Sequence, residues 1–105
     1  HNQNTFSQAN ASGFYARLPA TDVLTRTAVV TSLDTYATAV NITPGTAPYS
    51  AYATQGYERI LPGDSSKSLL VTVTGERGQG QMPPIVTHVV DTASVQSLTD
   101  WIDAL

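Results

Sequence analysis

The last fifteen residues, DTASVQSLTDWIDAL, constrain the fold more than any other stretch of this chain. Val95, Leu98, Ile102 and Leu105 recur at steps of three and four, which lines them along one face of an α-helix with Trp101 at its flank. Asp91 or Thr92 stands where a side-chain oxygen caps the first turn. An apolar stripe of this kind must be buried against other elements, so the chain is expected to form a packed, mainly α domain. Trp101 is expected in the core against the first segment and a tyrosine-bearing helix, where Trp101→Ala should cost about 3 kcal/mol or more.

Weaker signals organise the rest. Residues 1–18 are rich in Asn, Gln and Ser, with Phe6, Phe14 and Tyr15 as the large apolar groups, and read as an irregular lead-in. Between Thr21 and Val40 two short helical patterns occur; the clearer places Leu33, Tyr36, Ala37 and Val40 on one face, with Ser32 as N-cap. The stretch from Thr43 to Gly56 carries two prolines, two glycines and two tyrosines without periodicity, and reads as a long loop. Residues 65–74 pull two ways. The run LLVTVT favours a strand by its β-branched content, whereas Asp64 as N-cap and the spacing of Lys67, Leu69, Leu70 and Val73 favour a helix, which we take.

Composition excludes several functions. At 105 residues the chain is sized for one domain, 1–105, as a whole protein or a piece of a longer polypeptide. It holds no cysteine, which removes disulfides, iron–sulfur clusters, zinc–thiolate sites and cysteine nucleophiles. A formal charge of −3 with no basic run argues against nucleic acid. No apolar run reaches the length needed to span a bilayer, so no membrane insertion is expected. Only 12% of residues are charged, which leans toward a periplasmic or extracellular setting. Ser65, Ser66 and Ser68 lack the surroundings of a nucleophile elbow. His88 and Asp91 are spaced for an acid–base pair, yet a helix-capping Asp beside a surface His is the stronger reading.

Three segments in order, PGDSSKSLL, QMPP and VVDTASVQSLTDWI, resemble the C-terminal half of bacterial c-type cytochrome domains, and with YATAVNI and RILPGD the resemblance covers about residues 33–105. It implies a small cytochrome-c-like helical fold with long loops around a haem pocket, and single-electron transfer with a redox partner protein or a neighbouring haem domain. By this resemblance Met82 is the axial thioether ligand to iron, on a loop stiffened by Pro83 and Pro84, and His1 lies where the opposite axial histidine stands. Arg59 would pair with a haem propionate, and Pro62 belongs to the turn beside it. The chain departs from the pattern in lacking the two cysteines of the CxxCH motif, so haem c requires a CxxC preceding His1.

Two further readings stand beside this one. A haem-free interaction or carbohydrate-binding module would present Tyr49, Tyr52 and Tyr57 as flat rings. A copper carrier would use the His1 amine and imidazole together with His88.

Overall fold

The computed structural model describes residues 12–15, 20–21, 29–78, 80–81 and 88–105. Among them are four α-helices and no strands: α1 (Asp34–Ala37), α2 (Ser50–Ala53), α3 (Leu69–Gly75) and α4 (Thr92–Asp103). The fold is mainly helical. Its contacts divide between Val40 and Asn41 into two compact units.

In the first unit the chain makes a 3-10 turn over Val30–Ser32 and then enters α1. Ser32 does not cap that helix. Its hydroxyl donates back to the Val29 carbonyl at 2.7 Å, because Ser32 is the last residue of the 3-10 turn and Leu33 takes the N-cap position. Thr38 ties the lead-in to α1: its hydroxyl accepts the Tyr15 N–H at 2.9 Å and donates to the Asp34 carbonyl at 2.7 Å. Ala39 and Val40 are buried.

The second unit is built around residues 58–60, which are hydrogen-bonded along both edges. On one side the Asn41 N–H donates to Ile60 and the Arg59 N–H to Ile42; on the other, Glu58 donates to Lys67, and Leu69 and Leu70 donate to Glu58 and Arg59. The backbone thus satisfies its donors and acceptors without an extended sheet. Asp64 accepts the Lys67 N–H at 3.2 Å and starts a 3-10 turn over Ser65–Lys67, after which Ser68 hands the chain to α3. Helix therefore wins over strand for the LLVTVT run, with Leu69 and Val73 one turn apart and both buried.

Helix α4 begins where its sequence indicates. The Asp91 carboxylate accepts from the Ser94 N–H at 3.1 Å and from the Ser94 hydroxyl at 2.7 Å. At the other end the helix is docked on the turn that precedes α3. Gly63, at φ +77°, donates its N–H to the Ile102 carbonyl at 2.9 Å, and the Ser65 N–H donates to Asp103 Oδ1 at 2.8 Å. Ile102 is fully buried, and with Ile60, Leu69 and Val73 it makes the core of this unit.

Three expectations are corrected here. Trp101 is 49% exposed, because the buried line of α4 runs through Ile102 and a neighbouring residue is turned about 100° away from it; Leu105, equally exposed, lies beyond the end of the helix. The stretch 43–56 is not all loop: the Tyr49 and Ser50 N–H groups both donate to the Thr46 carbonyl at 2.9 Å and start α2. Ser32, as described, is no helix cap.

Both capping aspartates have pKa values below the ordinary aspartate value, Asp64 chiefly through the Ser66 hydroxyl and Asp91 chiefly through that of Ser94. A carboxyl depressed in the folded state contributes stability that is present above its unfolded pKa and lost as pH falls through the folded one. The melting temperature should therefore drop below about pH 4. Asp91→Asn should flatten that acid limb relative to the parent, as read by thermal melts between pH 6 and pH 2.5; parallel curves would show that Asp91 carries none of it.

Candidate functional site

Of the residues assigned from the cytochrome resemblance, His1, Met82 and Pro83 lie outside the described residues, while Arg59 and Pro62 lie three apart on the segment that runs from the backbone-bonded centre into the docked turn. Arg59 is half-buried. Its N–H donates to Ile42 at 2.8 Å, its carbonyl accepts from Leu70 at 3.1 Å, and burial lowers the pKa of its guanidinium. The Asp64 carboxylate accepts from the Ser66 hydroxyl at 2.6 Å and from the Lys67 N–H. Glu58 Oε1 accepts from the Thr43 hydroxyl at 3.2 Å, and its buried Oε2 has no hydrogen-bond partner.

The turn carrying Pro62 is held from inside by Ser68, which is fully buried. Its hydroxyl accepts the Leu61 N–H at 2.8 Å and donates to the Asp64 carbonyl at 2.9 Å, with the Leu61 carbonyl at 3.3 Å. Serine is usually a surface residue, so nothing in the sequence distinguishes Ser68 from Ser65 and Ser66.

Immediately before Met82 the chain makes a tight turn. The Gln81 N–H donates to the Gly78 carbonyl at 3.1 Å, and the Gly78 N–H donates to Gln81 Oε1 at 2.9 Å. Gly78 and Gly80 both have positive φ, which side-chain-bearing residues seldom adopt. His88 is exposed, and the Asp91 carboxylate is taken up by Ser94, so the two form the surface-histidine and helix-cap arrangement. No group of three or more His, Asp or Glu side chains among the described residues is placed to hold a metal ion.

A second constellation escapes sequence reasoning. Pro48, Tyr49, Tyr52, Val73, Glu76 and Gly80 line a hollow of about 160 Å³. Tyr52 also meets Tyr57 edge to face, with ring centroids 5.2 Å apart at 71°. Lys67 Nζ lies 4.8 Å from the Tyr57 centroid and donates to the Gln55 carbonyl at 3.0 Å. The negative charge of Glu76, which also hydrogen-bonds Tyr52, is the main cause of a raised Tyr52 pKa, with burial next. Tyrosines 49 and 52 stand out in the sequence, but Glu76 and Gly80 reach them only through the fold. The hollow is smaller than the pockets that enclose whole cofactors, roughly 300 Å³ and above, and we do not assign a macrocycle to it.

Comparison of the chain with protein-family models, with curated proteins and with solved structures found no match. Among the described residues no helix is long and apolar enough to cross a membrane.

Proposed function

We propose that this chain is a single-haem electron carrier in which His1 and Met82 would hold the iron. The observation that carries the reading is the order PGDSSKSLL, QMPP, VVDTASVQSLTDWI. It is supported by the mainly helical fold and by the docking of the first of these segments on the helix of the last, through Gly63 to Ile102 and Ser65 to Asp103.

The chemistry of the residues fits the group. An imidazole and a thioether are a donor pair that haem iron accepts, and the thioether raises the reduction potential above that of a bis-histidine site. Arg59 is half-buried three residues before Pro62, and its guanidinium would pair with a haem propionate. Pro62 and Pro83 would stiffen the two loops, and the hydrogen-bonded turn at Gly78–Gln81 would fix the approach to Met82. When bound, haem supplies reversible one-electron chemistry. With no cysteine in the chain, thioether attachment would need a CxxC preceding His1. The reading places the protein in the periplasm or outside the cell, exchanging electrons with a redox partner protein or a neighbouring haem domain.

Visible spectra of protein from its native source, oxidised and then reduced, test this together with an intact mass. The expected result is a Soret band, sharpened bands on reduction, and a mass exceeding that of the chain by at least a haem. Met82→Ala should remove the iron–sulfur absorption toward the red while the far-UV circular dichroism stays helical. A colourless protein of the chain's own mass, or a spectrum that Met82→Ala leaves unchanged, overturns the proposal or its ligand assignment respectively.

A further inference from the structure

We propose that the hollow between α2, α3 and the glycine turn, lined by Tyr49, Tyr52 and Glu76, is a binding site for an alkylammonium group. The proposal does not rest on the haem reading.

Three features select a cation. Two aromatic rings line the hollow, and ring faces attract ammonium groups through their quadrupole. A carboxylate, Glu76, lies on the same wall, and the field it sets up is felt by the Tyr52 hydroxyl beside it. The nearest arginine in sequence has its terminal nitrogens committed to main-chain carbonyls: Arg77 Nη1 donates to Thr74 at 3.0 Å and Glu76 at 2.6 Å, and Nη2 donates to Val89 at 2.9 Å. The same tyrosine cluster already holds one ammonium, that of Lys67 against Tyr57. Tyr49 and Tyr52 line the open space beside that pairing, with Tyr52 in edge-to-face contact with Tyr57.

Size and shape agree. About 160 Å³ suits a methylated or primary ammonium head better than a sugar ring with its several hydroxyls to satisfy. Gly80 keeps the space open, since a Cβ there would lie 3.3 Å from Tyr49 Cε1 and 3.6 Å from Pro48 Cγ, at a φ of +89°. Pro48 and Val73 supply the apolar remainder that a trimethylammonium or alkyl chain would cover.

The test is a titration of the chain followed by amide chemical shifts, with choline and n-butylammonium as probes, and 3,3-dimethylbutan-1-ol and glucose as neutral controls. Saturable shifts at Tyr49, Tyr52, Glu76 and Gly80 are expected with an ammonium probe, about tenfold stronger than with the neutral isostere. Preference for choline or for n-butylammonium identifies the head as quaternary or primary. Glu76→Gln, at an exposed position, should weaken binding about tenfold and leave the fold intact. Tyr52→Phe keeps the ring, removes the hydroxyl that hydrogen-bonds Glu76, and should bind at least as tightly as the parent. Equal binding of the neutral isostere, preference for glucose, indifference to Glu76→Gln, or shifts that do not saturate would each overturn the proposal.

Discussion

Ile102→Ala is expected to destabilise the protein by about 3–4 kcal/mol, the largest effect of any single side chain described. Ile102 is fully buried, and with Ile60, Leu69 and Val73 it is one of the buried apolar residues of the second unit. Removing three carbons there loses their transfer free energy and leaves a void that the docked turn is poorly placed to fill, because Gly63 and Ser65 are hydrogen-bonded to the end of the same helix. Ile102→Val should cost only about 1 kcal/mol. Trp101→Ala gives the decisive contrast: although it deletes a much larger side chain, it should cost less than Ile102→Ala, because Trp101 is half exposed. Denaturant melts of the three variants measure this ranking. A larger loss from Trp101 would mean that the stripe of α4 is centred one residue earlier than described.

That contrast shows what periodicity can tell. The spacing of Val95, Leu98 and Ile102 is enough to identify α4, and Asp91 is enough to start it, because both signals act within a few residues. Asp64 is similarly readable as a cap, but the element it caps is the 3-10 turn Ser65–Lys67; the helix of the LLVTVT run begins afterwards, at Leu69, with Ser68 at its N-cap position and no side-chain cap. Trp101 is misread because hydrophobicity is a property of the residue whereas burial is a property of the face. A tryptophan at the rim of a stripe looks the same in the sequence as one at its centre. The short helix α2 lacks an apolar stripe altogether and is held by the Thr46 carbonyl, so no periodic signal announces it.

Candidate sites divide along the same line between local and distant information. The order of PGDSSKSLL, QMPP and the final helix is a linear signal, and the resemblance built on it and on RILPGD is what names Arg59 and Pro62 as expectations. The tyrosine hollow depends on Glu76 and Gly80 lying against residues about 30 positions earlier, which no local pattern encodes. Sequence reading brings out the tyrosines as exposed rings; the carboxylate that gives them a ligand preference comes only from the fold.

Ser68→Ala should cost about 2–3 kcal/mol, although it removes a single oxygen. In the parent that oxygen takes the Leu61 N–H and gives its proton to the Asp64 carbonyl, inside a fully buried position. Alanine leaves the Leu61 N–H without its acceptor, while the Asp64 carbonyl keeps only the long bond from the Lys67 N–H at 3.3 Å, and an unpaired buried group costs more than an average hydrogen bond contributes. Ser68→Cys separates polarity from volume, since the sulfur fills the space while donating and accepting weakly. It should recover little of the loss, and amide exchange at Leu61 should accelerate in both variants while that of α4 slows or speeds only with global stability. The turn from Leu61 to Asp64 carries Pro62, so loosening it tests whether the segment beside Arg59 is rigid because of Ser68. If Ser68→Ala costs under about 0.5 kcal/mol and Leu61 stays protected, the turn is held instead by its docking on Ile102 and Asp103, and the buried hydroxyl is dispensable.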